Sequence, residues 1–590
     1  MHVFIHQTHH SIADFKGIEE YLYSNLNKES HGLHIFPELF LTGYPLQDLC
    51  LQKPFIDKYH RLLERLTSKL PKLIDQEKCC LLIGGIKYNL NERSLPISIQ
   101  NVVYQVGLGK KLDDIYTKQL LPNYDIFDEK KYFKRGTDSF IGEFFGKKVG
   151  ILICEDMWAS SFHEWDPVHD LMEKKKKLPK GKLDLTVNLS GSPFHINKHQ
   201  KRVNRAKEIS HLLNCPFAYS NRVGAEDEVI FDGGSFVIDG DKVLVEAKRF
   251  TTDLIQWEYS SENGPYTEIK KQDTSQTWEG LFNSRLELST TPPTLEPLSD
   301  DQCMEILQAL TLGIQDYAQK NQIKKFSIAL SGGIDSSLAL TILVLSLKEK
   351  QDVEVLFMPG QKTPQKHYEL AKQLCSNLKV PMVNIPIKFL NSTALNLYNQ
   401  HFSDRLSEYS ENSLQARLRS LVLYTRTNQF NSMALNTSNK SEIAIGYSTI
   451  YGDSVGSISL LGDLYKTEIY EVAKFINKKF NDLIPPEIIS QEPISVQKSS
   501  TVDTKSIPHY KILDAILEGI LNYRYSEEDL INKGFNQEDV EKVLNLYQNS
   551  EYKRGQFCPI LKVSVKSFGF GYRIPISKSK QLYTGDKNEP

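Results

Sequence analysis

The sequence predicts an α/β protein with more than one domain. The chain has 590 residues, too many for a single hydrophobic core. Short apolar segments typical of β-strands alternate with helical patterns in two separate regions, as expected for layered α/β domains. A polar stretch that contains Pro292, Pro293 and Pro297 lies between these regions. We expect an N-terminal domain over 1–262, a linker over 263–297 and a C-terminal domain over 298–590.

Composition argues against several classes of partner. The formal net charge of −2 gives no electrostatic reason to expect binding to nucleic acid or to an anionic membrane. Residues 1–10 lack a basic segment followed by a long apolar one, and no apolar run reaches membrane-spanning length, so we expect a cytoplasmic protein. The eight cysteines include no Cys-x-x-Cys pair, which argues against a zinc site or a disulfide framework. The lysine run 174–177 is interpreted as a solvated loop.

In the N-terminal region, apolar segments predict the strands of the first α/β domain. They are His34–Phe36, Cys80–Gly84, Val149–Ile153, Leu183–Asn188 and Ser235–Ile238.

Three segments of this region place a reactive side chain at or near the end of a strand. They carry Glu38, Lys118 and Cys154. If the three converge, they form a set suited to amide hydrolysis, in which the thiol attacks, the carboxylate moves a proton and the ammonium stabilises the oxyanion. Taken singly, each has an ordinary structural interpretation as a salt-bridged acid, a solvated lysine and a buried thiol. Glu155 and Asp156 disfavour a thiolate, so a cation such as Lys118 must offset them.

The C-terminal region begins with a helix and then a strand. Ser299 is predicted to cap a helix that includes Cys303–Leu310, and the apolar run Phe326–Leu330 predicts a strand. A second apolar run, Leu338–Val344, predicts the helix that follows, and the α/β pattern continues to Ile387.

Between that strand and helix lies Ser331-Gly-Gly-Ile-Asp-Ser-Ser337, which has the features of a nucleotide-phosphate loop. Gly332 and Gly333 allow close approach of the backbone, and the start of a helix offers N–H groups to an anion. The serine hydroxyls add donors, and Asp335 supplies the hard oxygen that Mg²⁺ prefers. The lysine of a Walker loop is absent, so the pattern is a different one. The heptapeptide resembles the signature of ATP pyrophosphatases.

The N-terminal motifs resemble those of the nitrilase superfamily, and their surroundings resemble the glutaminase half of glutamine-dependent NAD synthetases. The resemblance is carried by 36–49, 116–129, 151–158 and 231–235. It implies an α-β-β-α sandwich in which Glu38 is the general base, Lys118 stabilises the oxyanion and Cys154 is the nucleophile. It further implies that Tyr124, Ser192 and Lys198 hold glutamine.

The C-terminal motifs resemble the ammonia-using domain of the same family, which implies a doubly wound, Rossmann-like parallel sheet. The matching segments are 414–419, 436–442, 451–453, 461–466 and 551–554. The resemblance implies that ATP is bound by Ser331, Gly332, Gly333, Ile334, Asp335, Ser336, Ser337, Thr437 and Lys466. It implies that deamido-NAD (nicotinic acid adenine dinucleotide) is bound by Ser413, Glu442 and Lys553, and Mg²⁺ by Asp335 and Glu442. For Arg417, Arg419, Asp453 and Asp463, an ion pair inside the fold is an equal alternative.

The resemblance implies an amidation in two parts. Glutamine would be hydrolysed through a Cys154 thioester, and the ammonia would reach an acyl-adenylate formed from ATP and deamido-NAD, releasing AMP and pyrophosphate. Ammonium is not nucleophilic, which favours a protected path for ammonia. The family also implies a homo-oligomer.

Several positions depart from the family pattern, mainly around substrate binding. Ser413 replaces an asparagine, Ser438 a glycine and Glu226 a glutamine, and the segments 360–367 and 494–500 differ from the usual ones. These departures leave two alternatives open: a related glutamine amidotransferase that adenylates another carboxylate, and a non-catalytic nucleotide-binding homologue.

Overall fold

The computed structural model describes residues 1–159, 163–259, 285–347, 352–491 and 507–579. It divides into two compact units, Met1–Thr277 and Trp278–Pro590. Of the predicted linker 263–297, the part up to residue 284 lies outside the described residues, as does the divergent segment 494–500. Among the described helices, none combines the length and the apolar character that crossing a membrane requires.

The described part of the first unit contains fourteen strands, arranged in two large sheets and one small one. The strands are β1 (His2–Gln7), β2 (Gly32–Ile35), β3 (Cys79–Leu90), β4 (Pro96–Gly107), β5 (Lys110–Thr117), β6 (Phe140–Phe144), β7 (Lys147–Ile153), β8 (Leu185–Ser190), β9 (Phe217–Asn221), β10 (Val223–Glu226), β11 (Val229–Asp232), β12 (Phe236–Asp239), β13 (Lys242–Glu246) and β14 (Asp253–Glu258). The sheet orders are β14-β1-β2-β3-β4-β5, β13-β12-β9-β8-β7-β6 and β10-β11. The helices are α1 (Phe15–Asn25), α2 (Lys53–Leu73), α3 (Glu129–Tyr132), α4 (Pro167–Lys176) and α5 (Lys198–Leu213).

The two six-stranded sheets pack face to face, and helices cover their outer faces. Strand β3 begins with an apolar segment, 79–86, in which every residue is buried. Cys79, Leu81 and Ile83 point into the core under α1 and α2, whereas Cys80 and Leu82 point into the core between the sheets. Side chains alternate along a strand, so a strand buried on both faces needs apolar residues at every position. The predicted α-β-β-α sandwich is confirmed.

The second unit is built around a parallel sheet. Its strands are β15 (Leu286–Glu287), β16 (Thr294–Leu295), β17 (Phe326–Ala329), β18 (Val353–Phe357), β19 (Met382–Asn384), β20 (Met433–Asn436) and β21 (Ile458–Ser459). Its helices are α6 (Asp300–Lys320), α7 (Ile334–Ser346), α8 (Gln365–Leu378), α9 (Lys388–His401), α10 (Glu408–Phe430), α11 (Lys440–Ile445), α12 (Lys466–Phe480), α13 (Pro486–Ser490), α14 (Tyr510–Glu518), α15 (Glu527–Asn532), α16 (Gln537–Gln548) and α17 (Glu551–Arg554).

The strand order of this sheet locates the place where a ligand is expected. The order is β19-β18-β17-β20-β21, and every neighbouring pair is parallel. The chain builds outward from β17 in one direction and then from β20 in the other, so the predicted doubly wound sheet is confirmed. Ligands of such sheets bind beyond the carboxyl ends of the strands where the direction reverses. The loops that follow β17 and β20 are 330–333 and 437–439.

Two local predictions had opposite outcomes. Ser299 does cap α6, and its side chain accepts a hydrogen bond from the Gln302 N–H in a reciprocal capping box. The interpretation of 174–177 as a solvated loop was wrong, because these lysines form the last turn and the cap of α4. Lys174 and Lys175 donate to carbonyl oxygens elsewhere in the unit. Cations at the end of a helix also offset its unpaired carbonyls.

Candidate active sites

In the first unit, the three predicted reactive residues each follow a strand. Glu38 lies beyond β2, Lys118 directly follows β5 and Cys154 directly follows β7, and all three are buried. The backbone of Cys154 has φ 44°, a left-handed conformation that is costly for a residue with a side chain. The N–H of Cys154 donates to Oδ1 of Asn188 on β8 at 2.7 Å. The strand end and this hydrogen bond hold the cysteine in a tight turn.

The ammonium group of Lys118 lies between two carboxylates. Its Nζ donates to Oε1 of Glu38 at 2.7 Å and to Oε1 of Glu129 at 2.9 Å. The hydroxyl of Tyr44 also donates to Glu129, at 2.9 Å. Lys118 is 1% exposed, so these charges interact with little screening by water. Glu129 lies in the polar run 128–131, and the sequence gives no signal there that it has a role in the site.

Neutral donors complete the environment of Glu38. Asn101 Nδ2 donates to Oε1 at 2.7 Å, and the Gly191 N–H donates to Oε2 at 2.8 Å. With Lys118, these donors bind both carboxylate oxygens and fix the orientation of the side chain. Nothing in the sequence distinguished Asn101 from the other polar residues of its strand.

Burial controls the protonation of this group of residues. It raises the pKa of the Cys154 thiol well above its ordinary value, and the charge of Glu38 adds to the effect while that of Lys118 opposes it. Burial also raises the pKa of Glu129 to about 7, against the pull of Lys118. A thiol that is protonated at rest needs a base before it can act as a nucleophile. Glu38 lies among the groups whose charge acts on Cys154 and is suited to that role.

Asp156 connects the lysine segment to the cysteine turn. Its Oδ1 accepts from the N–H groups of Gln119 and Leu120 at 3.0 and 2.8 Å. Its Oδ2 accepts from the Ile153 N–H at 3.0 Å and the Tyr116 hydroxyl at 2.7 Å. Burial raises the pKa of this carboxyl to about 6. Sequence analysis considered Asp156 only as an unfavourable charge, whereas the structure shows that it binds both segments.

Two of the three predicted glutamine contacts lie around Glu155. The Tyr124 side chain is 47% exposed, and its hydroxyl donates to Oε1 of the buried Glu155 at 2.9 Å. Lys198 Nζ lies 4.6 Å from the centre of the Trp158 ring. Burial, aided by the charge of Arg202, lowers the pKa of Lys198 to about 8, and the charge of Glu155 opposes this. A buried acid and a nearby ammonium group at an exposed tyrosine match the two charged ends of an amino acid.

Ser192 has an additional structural role. Its Oγ accepts from Nε of Arg202 at 3.1 Å, and its N–H donates to Oδ1 of Asn221 at 2.9 Å. Arg202 is fully buried and pairs with Asp232 at 2.7 Å. A hydroxyl that accepts one hydrogen bond still carries a proton to donate, so Ser192 can both shape the site and contact a ligand.

In the second unit, the phosphate loop follows β17 as predicted, and its first glycine has a clear physical reason. Gly332 has φ +83°, and a Cβ there would lie 2.7 Å from the carbonyl oxygen of His367. In the structure, the serine hydroxyls bond within the loop. Ser336 and Ser337 donate to the Gly333 carbonyl at 3.2 and 2.7 Å. Serines in the first turn of a helix commonly bond back in this way, which leaves the backbone N–H groups as the expected anion donors.

A second cluster of charges forms where the loops after β17 and β20 meet. Asp335 accepts from Nδ2 of Asn439 at 2.9 Å through Oδ1 and pairs with Lys466 through Oδ2. Asn439 also caps α11, so its position is fixed by the helix that carries Glu442. Burial and the charge of Asp335 raise the pKa of Glu442 to about 8, while Lys466 opposes the shift. Thr437 directly follows β20, two residues before Asn439, and is half-buried.

A buried carboxylate whose pKa is raised by burial and by a second carboxylate nearby, as for Glu442 beside Asp335, suits a divalent cation. Asp335 and Glu442 supply oxygen ligands of the type that Mg²⁺ prefers. Within the described residues, no group of three or more histidine, cysteine, aspartate or glutamate side chains is placed to hold a metal. Mg²⁺ commonly binds through one or two carboxylates together with substrate phosphates, and this pair fits that arrangement.

Ser413 and Lys553, two of the predicted dinucleotide contacts, line one open pocket of about 470 Å³. Tyr409, Arg417 and Tyr552 line it as well. The Nζ of Lys553 donates to the carbonyl oxygens of residues 446 and 448 at 2.6 and 2.7 Å, so it also holds a loop of the pocket. Glu442, the third predicted contact, lies in the Asp335 cluster instead and does not line this pocket.

An ion pair inside the fold was the alternative to a site role for Arg417, Arg419, Asp453 and Asp463. One of the four, Asp463, forms such a pair. Asp463 pairs with the fully buried Lys440 at 3.0 Å. Arg417 and Arg419 instead donate to carbonyl oxygens, those of residues 450 and 358. Asp453 accepts from a backbone N–H, that of residue 449, at 2.5 Å.

Two of the divergent positions fit the structure without strain. Ser438 is buried and is not among the residues with positive φ, so glycine's freedom is not needed there. Its N–H donates to Oδ1 of Asn436 at 2.9 Å. Glu226 pairs with Arg222 at 2.7 Å.

Comparisons with known proteins divide the chain in the same order as the sites. The family model for carbon-nitrogen hydrolases matches residues 18–162, and the model for NAD synthases matches 306–557. The chain is 33% identical over 555 residues to a glutamine-dependent NAD(+) synthetase of Synechocystis sp., covering 93% of this chain and 92% of that one. It is 31% identical to the enzyme of the same description from Thermotoga maritima, covering 98% of both chains.

Solved structures give the same result for the fold. The chain is similar to a glutamine-dependent NAD+ synthetase from Acinetobacter baumannii, solved in complex with adenosine diphosphate, with a TM-score of 0.69 and 29% identity over 98% of both chains. A glutamine-dependent NAD(+) synthetase from Cytophaga hutchinsonii has a TM-score of 0.74 over 98% of both chains at 17% identity.

Proposed function

The chain belongs to the glutamine-dependent NAD(+) synthetase family, and we propose that its two units divide the work of that reaction. The enzyme amidates deamido-NAD to NAD with glutamine as the nitrogen donor. In our proposal the first unit releases ammonia from glutamine, and the second unit activates the carboxylate with ATP. The proposed domain boundaries are those predicted from the sequence, 1–262 and 298–590.

The observation that carries the proposal is the pairing of Lys118 with Glu38 beside the turn that holds Cys154. In the glutaminase reaction, Glu38 takes the thiol proton of Cys154, and Sγ attacks the amide carbon of glutamine. Lys118 stabilises the negative charge that develops on the carbonyl oxygen. Glu38 then returns the proton to the leaving nitrogen, and ammonia departs from a glutamyl thioester. Water, deprotonated by Glu38, hydrolyses the thioester and restores the thiol.

Selection of glutamine is assigned to the charges at the mouth of the site. Glu155 would receive the α-ammonium group and Lys198 the α-carboxylate, with Tyr124 bridging the exposed side. The hydroxyl of Ser192 would donate to the ligand while Arg202 holds its oxygen. This assignment explains why an acidic residue directly follows the nucleophile.

In the synthetase reaction, the loop 331–337 and Thr437 bind ATP, and backbone N–H groups at the start of α7 face its phosphates. Asp335 and Glu442 would hold Mg²⁺, which offsets the negative charge of the phosphates when bound. Lys466, paired with Asp335, is placed to offset charge that develops as pyrophosphate leaves. Ammonia attacks the acyl-adenylate carbon, and AMP departs with the electron pair of the broken bond.

The dinucleotide is assigned to the pocket that contains Ser413 and Lys553. Its aromatic walls suit stacking of a planar ring, and its cations suit phosphate groups. Ser413 has a shorter side chain than the asparagine of the family pattern, so this position is where the affinity for the dinucleotide is expected to differ from that of relatives.

A homo-oligomer is supported by the exposed side chains of α9. Within this 14-residue helix, Asn391 is the buried residue. Phe389 is 80% exposed, and Leu390, Leu397 and Phe402, which directly follows the helix, are exposed as well. A helix of this length needs apolar packing to be stable, and we propose that a second copy of the chain provides it. Sedimentation of the purified protein tests this, and a monomer at micromolar concentration would argue against it.

The experiment that tests the proposed function measures NAD formation with ATP, Mg²⁺ and deamido-NAD. Glutamine and ammonium are supplied in parallel reactions under otherwise matched conditions. Product from both nitrogen sources is expected. Glutamine hydrolysis without NAD from either source would favour an amidotransferase for another carboxylate, and no turnover of any substrate would favour a non-catalytic homologue.

A further inference from the structure

Asp514, on α14, has no assigned function in the reaction and is fully buried. Its Oδ1 accepts from the hydroxyl of Ser441 at 2.5 Å. Its Oδ2 accepts from the N–H and the hydroxyl of Thr467 at 3.0 and 2.9 Å. All of these donors are neutral, and burial outweighs them, raising the pKa of Asp514 to about 7.

These contacts link the starts of two helices that carry synthetase residues. Ser441 precedes Glu442 on α11, and Thr467 follows Lys466 on α12. The oxygen of Ser441 also accepts from the Lys466 N–H at 2.9 Å, so the two helices are bound to each other as well as to Asp514. The network therefore reaches within one residue of both charged groups.

A second residue of α14 contacts the same region. Tyr510 lies one turn before Asp514, and the centre of its ring is 5.7 Å from Nζ of Lys466. Residues four apart on a helix share a face, so one face of α14 supports both the backbone and the side chain of the lysine.

The chemistry of the residue explains why a carboxylate is needed here. Asp514 uses both of its oxygens as acceptors, one toward each helix. An asparagine of the same shape offers one acceptor oxygen, so its NH₂ group would face the donors of one helix, either the hydroxyl of Ser441 or the N–H and hydroxyl of Thr467. An apolar residue would leave the donors of both helices unpaired in a buried place.

We propose that Asp514 is a positioning residue of the synthetase reaction, which holds the starts of α11 and α12 together so that Glu442 and Lys466 meet Asp335. It acts through Ser441 and Thr467 and does not touch substrate. The inference rests on the proposed function of this site. It adds Asp514, which lies outside the sequence motifs of the site, to the residues that the reaction needs.

The test compares variants of the full chain in ammonium-supported NAD formation. Asp514→Asn is expected to lower kcat about 30-fold or more while KM for ATP changes less than about 3-fold, because positioning of charge is lost and the phosphate loop is kept. Thr467→Val removes one hydroxyl at nearly constant volume and is expected to lower kcat about 5-fold. Thr467→Ser restores that hydroxyl and is expected to restore the rate.

Glu354→Gln is the matched control, because Glu354 is also a buried carboxylate of this unit. It pairs with Arg426 at 2.6 Å through both oxygens and contacts none of the three charged site residues. Its kcat is expected to stay within about 2-fold of the parent. Equal loss of rate in Asp514→Asn and Glu354→Gln, or an unchanged kcat in Asp514→Asn, would overturn the proposal.

A crystal structure of Asp514→Asn gives a readout that does not depend on turnover. The hydrogen bond between Lys466 Nζ and Asp335 is expected to be lost in this variant and kept in Glu354→Gln. Retention of the bond in Asp514→Asn would contradict the inference even if the parent enzyme made no NAD. Absence of product from the parent protein, with the bond lost in the variant, would instead count against the proposed function.

Discussion

The ammonium group of Lys118 lies 2.7 Å from a carboxylate oxygen of Glu38, and neither side chain reaches solvent. A buried ion pair of this kind costs desolvation energy, so it is seldom a device for stability alone. Here a second acid, Glu129, shares the same ammonium at 2.9 Å. Burial, with a smaller contribution from the charge of Glu38, raises the pKa of the nearby Cys154 thiol, so the thiol is protonated at rest.

Glu129→Gln is expected to lower glutamine hydrolysis by about 10- to 100-fold, because Lys118 loses one of the two carboxylate charges that orient it. The amide keeps the size of the side chain and can still accept from the Tyr44 hydroxyl. Ammonium-supported NAD formation is expected to be unchanged. Steady-state assays with the two nitrogen sources check this, and an equal loss with ammonium would show that the residue supports the whole fold.

Cys154→Ala is expected to abolish NAD formation from glutamine and to leave formation from ammonium intact, because the thiol is the proposed attacking group and the second unit does not use it. Cys558→Ala, which alters a half-buried thiol of the second unit, is the control and should retain both activities. Parallel measurement of NAD from each source checks the pair. Loss of both activities in Cys154→Ala would refute the division of work between two sites.

The sequence predicted the residues with reactive groups but missed those that hold them. Glu38, Lys118 and Cys154 lie at or near strand ends and carry groups suited to amide hydrolysis, but it is the resemblance of their motifs to the nitrilase superfamily that assigns their roles. Glu129 and Asp156 act through contacts between segments distant in sequence, and a polar run or an acid beside a thiol gives no signal of such contacts. Glu129 reaches Lys118 only because the fold places α3 next to the residue that follows β5.

The fold followed from the pattern more completely than the site did. Apolar segments such as Val149–Ile153 and Phe326–Leu330 form strands in the structure close to the predicted positions. The helix after the phosphate loop begins at Ile334, four residues earlier than the apolar run suggests, so Ser336 and Ser337 lie in its first turn and bond back to the loop. Asp514 was invisible to sequence reasoning, since an acid in an amphipathic helix usually faces water.

Arg202→Met is expected to lower the free energy of unfolding of the first unit by about 3–5 kcal/mol, because Asp232 would keep a buried charge with one partner removed. Arg249→Met removes the other partner of Asp232. The Arg249 side chain is 18% exposed and lies 3.0 Å from Asp232, so its loss is expected to lower the free energy of unfolding by less. Urea unfolding of both variants, followed by far-UV circular dichroism, gives the comparison. A larger cost for Arg249→Met would reverse the assignment of the main partner.

The buried pair His6 and His34 predicts a loss of stability in acid. His6 Nε2 and His34 Nδ1 lie 3.0 Å apart, and burial lowers the pKa of His34 to about 4. The pKa of His6 is lowered well below its usual value by burial and by the neighbouring ring. Below about pH 6.5 these histidines take up protons in the unfolded chain but not in the native state. The contribution of the pair to the free energy of unfolding is therefore complete above that pH and falls as the pH drops toward 4.

The expected slope is about 1.4 kcal/mol per pH unit for each histidine. His34→Asn keeps a polar group near His6 and removes one titrating ring, so the fall in unfolding free energy between about pH 6.5 and 5 should be smaller than in the parent. His31→Asn alters an exposed histidine and serves as control. Unfolding measured across that range decides the matter, and equal slopes for parent and His34→Asn would show that the pair does not govern acid stability.

Ser438→Gly restores the residue of the family pattern and is expected to bring no gain in stability or rate. Because Ser438 does not have positive φ, glycine would relieve no strain and would cost about 1 kcal/mol or less in backbone entropy. Gly446 is the contrasting position, because it has φ +66° and a Cβ added there would lie 2.2 Å from Ser550 Oγ. Gly446→Ser is therefore expected to destabilise by more than about 2 kcal/mol. Thermal unfolding and ammonium-supported NAD formation check both variants, and a clear gain of rate in Ser438→Gly would show that this departure from the family impairs synthesis.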